Sequence, residues 1–85
     1  METFICEQIR LKNKEAAHKP IVFAKQFFGM DENMRAELLV NDRYAMTSTV
    51  KTFQVTDFDR QQAIVIETRN TIYVVPFHWT GRADG

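Results

Sequence analysis

IETRNTIYVVPF, residues 66–77, decides how this chain folds. Two runs rich in β-branched and aromatic residues flank Arg69-Asn70, the pattern of a β-hairpin. Asn70 tolerates the positive φ that tight hairpin turns require. With Arg69-Asn70 as the loop, Thr68 faces Thr71, Ile66 faces Tyr73 and Ile64 faces Val75. The other side pairs Glu67 with Ile72 and Val65 with Val74. Moving the loop by one residue changes the partners but keeps the same residues on each face. Both faces are therefore apolar, whereas an antiparallel sheet usually leaves one face to water. Something has to cover each of them.

Working outward, AIVIET and TIYVVPF follow TSTVKTFQV, residues 47–55, β-branched at Thr47, Thr49, Val50, Thr52 and Val55. These three strands form a meander, with TDFDRQQ, residues 56–62, as the loop after the first. Pro76 marks the end of an edge strand or a bulge. Met34, Ala36, Leu38 and Val40 alternate with Arg35, Glu37 and Leu39, which favours a strand closed by a turn at Asn41-Asp42. The good helix formers in residues 32–39 make a helix the rival reading there.

Toward the N-terminus, Ile9-Arg10-Leu11-Lys12 alternates as a half-buried strand does. Residues 20–28 read as a short helix. Pro20 suits its first turn, Gly29 its left-handed stop, and Phe23, Phe27 and Phe28 crowd one side as a cover for one hairpin face. The expected architecture is one α+β domain over residues 1–85. It has a four- or five-stranded, mostly antiparallel curved sheet with one short helix packed on it. Val65, Ile72 and Val74 are then hidden either by curling of the sheet into a barrel or by another chain.

The composition fits a folded chain: 85 residues, 45% hydrophobic, with seven Phe among ten aromatics and few Gly or Pro. A chain this short buries only ~60–65% of its unfolded surface, so it depends on packing or association for stability. Eleven basic and eleven acidic residues cancel, and no global field draws the chain to nucleic acid or membrane. The charge is mildly polarised, at +2 over residues 1–27 and −2 over residues 28–60. Cys6 is the only cysteine, which excludes an internal disulfide. METFICEQIR lacks the basic and apolar regions of a signal peptide, and no apolar run approaches a membrane span. A soluble cytoplasmic protein is expected.

Three glycines, one cysteine and two histidines compose no phosphate loop, dinucleotide fingerprint, nucleophile elbow or zinc spacing. Cys6 reads as structural rather than as a nucleophile served by His18. Asp57 and Asp59 read as turn residues, because the calcium-loop pattern fails at Gln62 and Thr68. No catalytic residue, metal or cofactor is expected. Arg10, Lys12 and Lys14 have period two and share a face if extended. With Lys19 and Lys25 they make a candidate RNA-binding row, or a solvated edge that resists aggregation. Trp79 and Arg82, in FHWTGRADG, are residue types common at binding hot spots. Phe58, set in the polar TDFDRQQ segment, is a further exposed aromatic.

RYAMTSTVKTF, residues 43–53, and VIETRNTIYVV, residues 65–75, resemble the small accessory proteins of T-even-like bacteriophages. Members of that class are short, cysteine-poor α+β chains, and several bind and inhibit host defence factors. Some of them inhibit ribonuclease toxins. The resemblance implies a non-enzymatic inhibitor of a host protein acting in the host cytoplasm, and assigns no residue a role. The candidate partner surface is Phe58, Val65, Ile72, Val74, Trp79 and Arg82, with a second copy of the chain as another candidate partner. The alternative is a small RNA-binding protein using Arg10, Lys12, Lys14, Lys19 and Lys25.

Overall fold

The structure, a computed structural model, describes residues 2–13 and 18–77. Helix α1 spans Glu2–Lys12. Six strands follow: β1 (Ile21–Phe23), β2 (Gln26–Met30), β3 (Arg35–Val40), β4 (Arg43–Phe58), β5 (Gln61–Thr68) and β6 (Ile72–Pro76). They form one sheet in the order β1-β6-β5-β4-β3-β2. Every pairing is antiparallel except that of β1 with β6. The α+β class, the curved and mostly antiparallel sheet and the single short helix follow the expectation; the strand count is six.

The hairpin over residues 63–76 has the register read from its sequence, with Ile64 opposite Val75, Val65 opposite Val74, Ile66 opposite Tyr73 and Glu67 opposite Ile72. Its turn closes through the Thr68 N–H donating to Thr71 O at 2.9 Å. Positive φ is adopted instead at Met34, at Asn41 and Asp42, and at Asp59 and Arg60. Asn41-Asp42 is the expected turn, and β3 takes the strand reading over the helical one. TDFDRQQ is mostly strand: β4 runs through Phe58 and β5 resumes at Gln61, leaving only Asp59-Arg60 as the turn. Pro76 ends β6 beyond the reach of β1, which pairs only as far as Val74, so its missing N–H removes no bond on that side.

Two N-terminal expectations are corrected. Residues 4–12 are helical. The alternation covers only four residues, whereas Ile5 and Ile9, four apart, define a buried stripe along the whole segment. Glu2 in the first turn and Arg10 and Lys12 in the last also complement the helix dipole. Residues 20–28 form no helix. β-Branched Ile21 and Val22 extend into β1, and Gly29, at φ 149°, accommodates a β-bulge in β2 rather than ending a helix.

β1 and β2 lie at opposite edges of the sheet, yet only Ala24 and Lys25 separate them. The sheet must therefore curl until its edges approach. The link itself is bonded to both sides: Ala24 N–H donates to Val74 O of β6, and Lys25 N–H to Leu39 O of β3, each at 2.8 Å. β4 serves both halves, pairing with β3 as far as Thr49 and with β5 from Val50 onward, with a bulge between Val50 and Thr52 at the changeover.

The curl produces two cores. On the outer face, Ile5 and Ile9 of α1 pack on Phe58, Ala63, Ile72 and Val74, with Val65 against them. Inside the curl, Ala24, Ala36 and Leu38 meet Ile64, Ile66 and Val75. Both greasy hairpin faces are thus covered from within the chain. The cover over Val65, Ile72 and Val74 is α1, neither a barrel wall nor a partner. Phe23 packs on the first core and Phe27 on the second, while Phe28 remains half-exposed.

Candidate functional site

A groove of about 150 Å³ lies between α1 and β4–β6. Its apolar wall includes Ile9, Phe58 and Ile72, and its polar side includes Thr52, Gln54 and Glu67. Ligand pockets usually exceed ~300 Å³, so this groove suits a few waters or a single side chain. Glu67 is its acidic group, and Lys12 of α1 also lines it. Lys19 Nζ donates to Glu67 Oε2 at 2.5 Å and to Thr68 O at 2.9 Å; Thr52 Oγ1 and Asn13 Nδ2 approach Glu67 Oε1 at 3.4 and 3.5 Å. The Lys19 ammonium holds the Glu67 carboxyl below the usual carboxylate range, against the opposing effect of burial. A carboxylate this well supplied with donors is a structural anchor, since a general base needs a pKa near the working pH.

The second surface lies across β2, β3 and β4. Strand alternation turns Leu38 and Ala36 into the core, and therefore Glu37 and Leu39 outward, opposite Met46 and Tyr44. Phe28 joins them, its ring 6.2 Å from that of Tyr44 in a stacked arrangement. Phe28 is 50%, Tyr44 59% and Met46 41% exposed. The Tyr44 hydroxyl donates to Glu37 Oε1 at 2.9 Å, which fixes the ring and raises the phenol pKa. Apolar bodies with a polar tip, held in place before any partner arrives, are what protein interfaces select.

The residues singled out from sequence separate. Phe58, expected exposed, is 3% exposed in the core under α1, because β4 continues through it instead of looping out. Ile72 and Val74 are buried beside it and Val65 is half-buried against them. Trp79 and Arg82 lie outside the described residues, as do Lys14 and His78. Arg10 and Lys12 sit on a helix, where a spacing of two places them on different sides, so the extended cationic row is not formed. Lys19 is committed to Glu67, and Lys25 pairs with Asp42 at 2.8 Å on the surface. Cys6 is half-buried in α1 and His18 is exposed.

Sequence reasoning missed Phe28, Tyr44 and Met46 as one patch. The signal was present, because Tyr44 and Met46 share a face in the strand that returns from Asn41-Asp42. It was masked by assigning Phe28 to a helix. Among the described residues no cluster of three or more metal-ligating side chains occurs, and no helix is long and apolar enough to cross a membrane. No protein-family model, no curated protein and no solved structure matches the chain.

Proposed function

We infer that this is a non-enzymatic binding protein that docks a partner protein through the Phe28–Tyr44–Met46 patch. The observation that carries the reading is the patch itself: two stacked aromatic rings and a methionine, exposed on a rigid strand surface in a chain with two filled cores. Aromatic and Met side chains are enriched where protein surfaces meet. The resemblance of residues 43–53 and 65–75 to phage accessory proteins supplies the partner class, a host defence protein such as a ribonuclease toxin, with inhibition as the outcome. The patch falls partly within the first of those stretches.

RNA binding through Arg10, Lys12, Lys14, Lys19 and Lys25 is the alternative reading. It loses the strand face that supported it and would work through separate cations. The discriminating experiment compares the wild type with a Tyr44→Ala/Met46→Glu double variant of unchanged fold. A partner protein that the wild type captures and inhibits, and the variant does not, supports the docking reading. Equal capture by both proteins overturns it. An RNA gel shift that weakens with salt, unaffected by the double variant, favours the alternative.

A further inference from the structure

β4 has sixteen residues, and its two halves use opposite edges. β3 pairs with it only as far as Thr49, with the Val50 N–H donating onward to Met34 O. Past that point, no strand among the described residues pairs with β4 on the side away from β5. Hydrogen-bond directions fix which groups this edge offers. In the neighbouring hairpin, Thr68 N–H bonds Thr71 O and Phe77 N–H bonds Gln62 O, so even-numbered residues of β5 turn their backbone groups toward β6. The odd-numbered ones then bond β4, at Thr52, Gln54, Thr56 and Phe58. Phe53, Val55 and Asp57 are left with N–H and C=O groups pointing outward from the edge, and Lys51 sits in the bulge that precedes them.

The side chains along this edge add to the liability. Phe53 is 41% and Val55 58% exposed, and the segment KTFQVTD holds no Pro, Gly or bulge beyond Thr52 to interrupt pairing. An unpaired edge that carries exposed apolar side chains is a template for another strand. The sequence also specifies which strand. Reversed about Gln54, the segment is its own complement: Lys51 falls opposite Asp57, Thr52 opposite Thr56 and Phe53 opposite Val55. In that register the opposed Phe53 and Val55 are both outward-bonding residues, so backbone and side-chain matching agree at the centre of the segment.

We propose that β4 residues 51–57 pair antiparallel with the same segment of a second copy, about a two-fold axis through Gln54. The contact is isologous, so each dimer gains two Lys51–Asp57 pairs and two Phe53–Val55 pairs. It joins the β1-β6-β5-β4 portions of two chains into one continuous sheet. The Phe28–Tyr44–Met46 patch lies on β2 and the other half of β4, and the proposal is independent of the function inferred for it.

The test is a charge exchange read by light scattering on the whole chain. The wild type is expected to be a dimer. Lys51→Glu sets acid against acid twice and should weaken association by about tenfold or more. This variant is read first, because Asp57 also accepts the Arg60 N–H at 2.6 Å and supports the turn. Asp57→Lys should weaken the dimer likewise. An equimolar mixture of the two variants should restore it, because each chain then opposes the other's charges. Amide exchange provides the second readout: Phe53, Val55 and Asp57 should be protected in the wild type and unprotected in Lys51→Glu. A monomeric wild type at millimolar concentration overturns the proposal, and so does a dimer that Lys51→Glu leaves intact.

Discussion

Lys19 Nζ and Glu67 Oε2 meet at 2.5 Å across 48 positions of sequence, with only 15% and 11% of their side chains exposed. The ion pair ties the segment leading into β1 to the end of β5, and Lys19 also satisfies the Thr68 carbonyl. A polar group this deep costs most when it loses its partner. Glu67→Gln and Lys19→Met should each lower the unfolding free energy by about 2 kcal/mol. The double variant Glu67→Gln/Lys19→Met should cost clearly less than the two single changes added together. Urea unfolding of the three variants checks the coupling.

Stability should fall on acidification, and Glu67 sets part of the slope. Its carboxyl titrates lower in the folded chain than the ordinary 4.5, so the unfolded chain binds the proton first as pH drops. The stabilisation is fully present above about pH 4.5 and is lost as pH falls through the depressed folded value. Asp31, held low by the backbone N–H groups of Arg35 and Asn33, acts in the same direction. Unfolding measured from pH 6 to pH 3 should therefore be shallower in Glu67→Gln than in the wild type.

The β4–β5 turn carries avoidable strain. Asp59 and Arg60 both adopt positive φ, at 56° and 76°, and arginine has no means of easing that conformation. Arg60→Gly should stabilise the protein by about 0.5–1 kcal/mol, the relief of strain outweighing the added freedom of the unfolded chain. An increase in melting temperature is the readout.

Ile5 is fully buried and anchors α1 to the outer core. Ile5→Ala should cost about 3 kcal/mol through lost contacts and a residual cavity. Because α1 is the cover over Ile72 and Val74, the variant should also bind a hydrophobic dye that the wild type excludes. Leu11→Ala, on the 72% exposed side of the same helix, should do neither.

The strands around residues 34–40, 47–55 and 63–76 were legible because alternation, β-branching and turn residues agree there, whereas the polar residues of TDFDRQQ imitated a loop and hid the continuation of β4 through Phe58. Even the hairpin partners follow from the sequence alone. The N-terminal third was not, because its local signals compete. Four alternating residues at 9–12 imitate a strand, while Pro20, Gly29 and paired phenylalanines imitate a helix. Long-range pairing with β6 and β3 decided the second case, and no local pattern encodes it. The same error displaced the site. Placing Phe28 on a helix hid its companionship with Tyr44, and leaving the outer hairpin face without α1 made Ile72 and Val74 look available. Glu67 was the unread clue, a lone acid opposite Ile72 on a greasy face that calls for a buried cation.

The parallel pairing of β1 with β6 has a kinetic consequence. Ile21–Phe23 cannot bond until Ile72–Val74 exist beside them, so every hairpin can form before the curl closes. Closing a loop of about fifty residues costs entropy that local contacts do not repay, and such steps come late in folding. On the ribosome, α1 and the β1 segment emerge before β6 and must wait for it. During that interval Ile5, Ile9, Ile21 and Phe23 have no surface to join. Folding should therefore be limited by the docking of α1 and β1, which are made before β6 and placed only after it.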